Sequence, residues 1–391
     1  MSCRVVASDR YTARLREFCS RCERRIAVGA PQARPPEPGP TRGSRAWGPE
    51  RSGATGPPTR VFQRVGVKAG PRERRRRGSA GAKPPGSSSN RADTIPEEVG
   101  NLARESCLVE GGAFQVFLAE ARHIPAALRE IGRLRELTYR AIGEGTGRQL
   151  DLDPFDDRYV HLFSWDREQK RIVGAYRIGR TDRIMMTEGV DGLYTRTLFR
   201  YDERLIARLS PALELGRSFV RAEYQKNYNA LLLLWKGIGR FVATHPQYRV
   251  LFGPVSISCR YSDSSHRLLM AFLQQNHLDR DLAALVEAIN PRVMNPAPAQ
   301  AIPRSIEEAN RLVTAAERDG KGVPVLLRQY LKLNAKLLGF NVDPHFGDAL
   351  DALMLVDLTT VDAAILNRYL GRQEAARFLA RHRASTSAHA A

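Results

Sequence analysis

Residues 213–242, LELGRSFVRAEYQKNYNALLLLWKGIGRFV, decide the fold. The opening part, residues 212–220, carries apolar side chains at Leu213, Leu215, Phe219 and Val220 with Gly216 among them, which reads as a strand with a defect. Residues three apart on a regular strand point to opposite faces. Glu214 and Arg217 therefore serve one site only if the pleat is broken between them, and a bulge costs least near Gly216. Residues 221–229 then form a loop that delivers the chain into an apolar helix, whose N-terminus offers unpaired N–H groups and a positive dipole end to phosphate. A bulged strand feeding such a helix suits a pantetheine thioester.

The composition of the 391 residues is uneven. Residues 1–95 hold 21 of the 61 basic side chains but only 7 of the 42 acidic ones, so most of the net charge of +19 lies there. Breaker-rich runs such as PQARPPEPGP, with few large apolar residues, do not offset the entropy of ordering, and a disordered basic tail is expected. Arg74 to Arg77 invite a nucleic-acid reading, but the run has no interleaved aromatics and no recognisable reader fold around it. Five cysteines without an even framework suit a reducing, cytoplasmic compartment. Cys19 and Cys22 form a CxxC without a second pair or a nearby histidine, so no metal site is expected. No secretory signal is visible, and no apolar run approaches the roughly 20 residues that span a bilayer, so any membrane contact is peripheral.

From about residue 110 to 382 the pattern is regular. Residues 114–118 alternate as a strand, and residues 124–142 place Ala127, Leu128, Ile131, Leu134, Leu137 and Ala141 at helical spacing. The loop GEGTGRQLDLDPFDD, 143–157, gathers Asp151, Asp153, Asp156 and Asp157, which fits a solvated turn or recognition of a cationic acceptor. Residues 159–165 and 171–178 read as a hairpin. After the opening stretch come a buried-type strand at 249–258, a helix at 262–275, a helical, Pro-interrupted insertion near 278–322, a helix at 324–338 and a strand at 352–358. This is one mixed α/β domain with a tail.

The chain resembles the GNAT acyltransferase superfamily, and more closely its hemolysin-like branch of ornithine N-acyltransferases and N-acyl amino acid synthases. The resemblance is carried by ELGRSFVRAEYQ (214–225), LLLLWKGIGRFV (231–242), LFGPVSIS (251–258), QYLKLNAKLLGFNVDPHFGDALDALMLVDL (329–358) and DPFD (153–156). The ELGR and DPFD elements are also similar to those of acyl-homoserine-lactone synthases. What this implies is a GNAT-like, mainly antiparallel sheet flanked by helices. It also implies an N-acyltransferase that moves a (3-hydroxy)fatty acyl group to the α-amine of ornithine or another amino acid, as in the first step of ornithine-lipid synthesis. Ordinary GNAT enzymes place Gly-x-Gly or Gly-x-Ala in the phosphate loop, whereas residues 225–230 here contain no glycine. A backbone without those glycines wraps a CoA pyrophosphate less closely, which favours acyl carrier protein, with its single phosphate, over acyl-CoA as donor. No bound cofactor is implied beyond the acyl-phosphopantetheine thioester itself.

Amide formation from a thioester needs a proton acceptor for the amine, donors for the oxyanion and a route for thiolate expulsion. The resemblance makes Glu214 the candidate base, Arg217 its orienter or the partner of the acceptor carboxylate, and the Val220 N–H the oxyanion donor. Tyr261 is a candidate proton donor to the thiolate, or else a packed side chain. Phe219, Arg221, Gln225, Lys226, Asn227 and Tyr228 are assigned to the donor, and Arg133, Asp153 and Asp156 to the acceptor. Glycerolipid O-acylation is a weaker alternative. Relatives often carry a His-x4-Asp domain upstream, and here no histidine precedes His123; His161 and Asp166 have that spacing but within a strand. A nucleic-acid or membrane role through the tail is the third reading.

Overall fold

The computed structural model describes residues 94–293 and 302–389. The stretch read as a disordered tail, 1–95, lies outside them except for its last two positions, which enter the helix Thr94–Gly100. Cys19 and Cys22 are outside as well.

Among the described residues, eight strands form one sheet in the order β1 (Cys107–Gly111), β2 (Phe114–Glu120), β3 (Val160–Asp166), β4 (Arg171–Arg180), β6 (Ala212–Val220), β7 (Val250–Ile257), β10 (Ala349–Asp357), β9 (Lys336–Asp343). Two short strands, β5 (Phe199–Tyr201) and β8 (Val286–Ala288), pair separately. Every neighbouring pair in the main sheet is antiparallel except β6 with β7. The helices of two turns or more are α1 (Pro125–Ala141), α2 (Tyr228–Thr244), α3 (Asp263–His277), α4 (Ile306–Ala316), α5 (Val325–Lys332), α6 (Ala363–Leu370) and α7 (Arg372–His389). No helix among the described residues is long and apolar enough to cross a membrane.

Two helices cover opposite faces of the sheet. α2 buries Leu233, Leu234, Trp235, Ile238, Phe241 and Val242 against Leu162, Tyr176, Leu213 and Leu215. At roughly 1.5–3 kcal/mol per buried large side chain, this one helix face is a principal source of stability. α1 packs Ala127, Leu128, Ile131 and Leu134 against Phe163, Ala175 and Phe219 on the other face.

Phe219 exposes the defect in β6. Leu213 and Leu215 belong to the α2 side, so a regular pleat would put Phe219 there too; instead it joins the α1 side. The register explains why. Gly216 faces Arg177 and Phe219 faces Ala175, so Arg217 and Ser218 together oppose Tyr176 alone. The bulge thus lies one residue beyond Gly216, with Arg217 itself at φ +49°.

β6 and β7 pair only from Ala212–Val250 to Glu214–Phe252 and then part, while β7 stays fully paired with β10 on its other edge. Gly253 sits at the last close approach. A Cβ there would lie 2.0 Å from the Leu215 carbonyl oxygen, so only glycine lets the strands converge before they diverge.

The helix expected over 324–338 ends at Lys332, because Asn334 turns into the left-handed region at φ +60°; β9 follows at once. The stretch near 278–322 is not wholly helical, since Val286–Ala288 is a strand beside β5.

Candidate active site

The parting of β6 and β7 opens into a cavity of about 560 Å³. Phe219, Val220, Leu231, Pro254 and Leu326 line an apolar portion, and Arg217, Glu144, Asp343 and Asp351 line a charged one.

Val220 faces the opening through its backbone. The Arg221 N–H donates to the Val173 carbonyl (2.8 Å), so in an alternating antiparallel ladder Val220 turns its N–H and C=O away from β4. Its carbonyl accepts from Gln225 Nε2 at 2.9 Å. Gln225 and Asn227 also line the cavity, and Asn227 caps α2 by accepting from the Asn229 N–H at 3.0 Å. Arg221 instead pairs with Glu223, and Lys226 is exposed; neither lines the cavity. Tyr228 begins α2, but its side chain falls outside the described residues.

Glu214 is not among the cavity residues. It is 1 % exposed, and its carboxylate accepts from the Thr195 N–H (2.6 Å), the Tyr194 N–H (3.2 Å) and the Tyr159 hydroxyl. Burial raises its pKa, with the Thr195 and Tyr159 hydrogen bonds opposing. Two of its bonds hold the turn that carries Tyr194 and Thr195, and the third comes from Tyr159, whose hydroxyl also accepts from the Tyr194 N–H at 2.8 Å.

The acids of the DPFD loop are likewise committed. Arg135 pairs with Asp156 (2.7 Å), Arg177 with Asp153 (2.5 Å) and Asp156 (3.4 Å), and Arg217 with Asp151 (3.2 Å) and Asp153 (3.5 Å). Asp153 and Asp156 also close a capping box around residues 154–157. Burial works against the Asp156 charge, but Arg135 and Arg177 outweigh it and hold its carboxyl well below the usual range. Neither acid lines the cavity, and Arg133 lies on the outer surface of α1, paired with Glu130 at 2.7 Å.

Three other carboxylates meet in the cavity. Asp351 on β10 stands opposite Ser256 on β7 and Asn341 on β9, and Asp343 follows two residues along β9 on the same face. Glu144 reaches the row from the end of α1, accepting from Ser256 Oγ at 2.7 Å. Its backbone is fixed tightly. The Glu144 N–H donates to Tyr139 O (2.8 Å), Ser258 Oγ and Arg260 cap the carbonyls of Ile142 and Ala141, and Gly347 abuts the Gly143 carbonyl where a Cβ would stand 2.1 Å away. Burial raises Glu144 to about 7, with the Ser256 bond opposing. Asp351 is driven well above its ordinary value by burial and by repulsion from Asp343 and Glu144. One signal for Asp351 was present in the sequence: an acid inside the apolar run ALDALMLVD. Glu144, between two glycines, carried none.

Tyr261 lines the cavity, yet its hydroxyl donates to the Gly322 carbonyl at 2.7 Å, and burial raises it to about 12. His161 and Asp166 do not pair: His161 Nε2 bonds the Asp156 carbonyl (2.8 Å), and Asp166 accepts from the Tyr224 hydroxyl (2.8 Å).

Residues 134–236 match the family model described as an acetyltransferase (GNAT) domain. The chain is 30 % identical over 262 residues to a glycine N(alpha)-acyltransferase of Bacteroides thetaiotaomicron, covering 62 % of this chain and 77 % of that protein. A glycine N(alpha)-acyltransferase of Phocaeicola vulgatus is 28 % identical over 270 residues, covering 63 % and 81 %. Among solved structures, a CoA-dependent acyl-homoserine lactone synthase with SAM and isopentyl-CoA aligns at 13 % identity and a TM-score of 0.35, over 67 % of this chain and 96 % of that one. By its match to the GNAT domain model and its 30 % identity to the Bacteroides glycine N(alpha)-acyltransferase over 77 % of that protein, the chain belongs to the N-acyltransferases of the GNAT superfamily.

Proposed function

We propose that the chain transfers a fatty acyl group, 3-hydroxylated or plain, from a phosphopantetheine thioester to the α-amine of an amino acid. The observation that carries this reading is the cavity at the parting of β6 and β7, apolar toward Leu231 and Leu326 and acidic toward Asp351, with Val220 on its wall. In this reading the acyl chain lies along the apolar side and the thioester carbonyl meets the Val220 N–H, where a fixed donor favours the developing oxyanion. The acceptor's carboxylate turns to Arg217, a cation on the same wall. Glycine is supported as acceptor by the relatives' names, ornithine by the resemblance of ELGRSFVRAEYQ and DPFD.

Acyl carrier protein is the proposed donor. Support comes from the glycine-free loop 225–230, and from Asn227, whose side chain is already engaged in capping α2. The test is to incubate the protein with matched acyl-carrier-protein and acyl-CoA thioesters and a panel of amino acids, then identify products by mass. N-acyl amino acid formed faster from the carrier protein supports both parts. A faster reaction from CoA overturns the donor assignment, and no amide with any amino acid overturns the function.

A further inference from the structure

Asp351 is 4 % exposed, lines the cavity, and among the described residues its carboxyl receives no hydrogen bond or ion pair. A buried carboxyl without a partner, aimed into a cavity, stays protonated while the cavity is empty of cations and takes up its charge when a cation enters beside it. Asp343 and Glu144 flank it, and Arg217 on the same wall forms its ion pairs with Asp151 and Asp153 and none with Asp351. The geometry points to Glu144, Asp343 and Asp351 as the pocket that receives the acceptor's ammonium, with Glu144 as the group that takes its proton. This inference rests on the amine-acylation reading above.

The proton count agrees with the arrangement. An ammonium must lose one proton before its nitrogen can attack and a second after the C–N bond forms. The first goes to Glu144 and on to water. The second ends on the sulfur as the C–S bond breaks, giving an amide and a thiol. Asp351 and Asp343 hold the ammonium while Glu144, anchored by Ser256, accepts the proton; a carboxylate titrating near neutrality is suited to that exchange. Tyr139 from α1, Tyr261 beyond β7 and Asp351 from β10 lie within reach of the Glu144 charge, and the other charged groups that line the same cavity are Arg217, Arg260, Asp319, Lys321 and Asp343.

The test is the pH dependence of turnover in the full chain with Glu144→Gln, Ser256→Ala and Asp351→Asn, each checked for folding by thermal melt. Glu144→Gln is expected to lower kcat by about 10²–10⁴-fold and abolish the acid limb of the profile. Ser256→Ala, which removes the bond that lowers the Glu144 pKa, moves that limb to higher pH. Asp351→Asn raises the KM for the amine more than it lowers kcat. If the wild type acylates amines while Glu144→Gln keeps its rate and acid limb, or Ser256→Ala leaves the limb in place, the inference is overturned and the function stands. A wild type that acylates no amine overturns both.

Discussion

Glu214 and Arg217 share a face of β6 without touching one another: both engage Tyr194, Glu214 through its backbone N–H at 3.2 Å and Arg217 through its hydroxyl at 3.0 Å. The bulge at Arg217 and Ser218 makes this possible. The Arg217 guanidinium also lies 4.7 Å from the centre of the Tyr194 ring, so one tyrosine links the buried carboxylate to the cation on the cavity wall.

This relationship separates stability from chemistry at Glu214. Glu214→Ala leaves the Tyr194 and Thr195 N–H groups without their carboxylate, and an expected loss of at least about 2 kcal/mol follows in urea unfolding. The folded fraction keeps kcat within about tenfold of wild type, a smaller loss than general-base removal brings. A drop of a thousandfold in a stably folded variant would restore Glu214 as the base.

The buried Arg135–Asp156 pair sets an acid limit on the fold. Because the Asp156 pKa is depressed in the native state, its contribution is present above the unfolded value of about 3.9 and is lost as pH falls through the lower native value. Asp156→Asn is expected to cost roughly 3–5 kcal/mol at neutral pH and to flatten the stability profile below pH about 4. Denaturant melts across pH 2–7 read both effects, and an unchanged acid slope contradicts the assignment.

Gly253→Ala forces a Cβ toward the Leu215 carbonyl where β6 and β7 converge. Strand separation at that point is expected to cost about 1–3 kcal/mol. Unchanged unfolding midpoints would show that the approach has slack.

Leu231→Trp fills the apolar side of the cavity beside the mouth of α2. With each buried methylene worth about 0.8 kcal/mol, preference should move to acyl chains a few carbons shorter. Competition among thioesters of graded length measures it; an unaltered length profile puts the chain elsewhere.

The strand, loop and helix of residues 213–242 were legible because apolar spacing and one glycine marked them, and the bulge expected near Gly216 falls on the next two residues, Arg217 and Ser218. β9 was hidden because the apolar spacing of 326–338 reads as helix, and a single left-handed residue, Asn334, ends it. Asp153 and Asp156 were visible as acids, but their neutralisation was not. Arg135 looks like a solvent-facing helix residue and Arg177 like a strand-edge one until the sheet brings them within 2.7 Å of a carboxylate. Glu144, Asp343 and Asp351 come from three elements spread over some 200 residues, and only the neighbouring of β7, β10 and β9 joins them.

A crystal structure with a non-hydrolysable acyl-pantetheine thioether shows whether the thioester lies where β6 and β7 part. The expected result places the acyl carbonyl oxygen about 3 Å from the Val220 nitrogen, with the chain running past Leu231 and Leu326. An analogue bound away from this opening, or with its carbonyl turned from Val220, would contradict it.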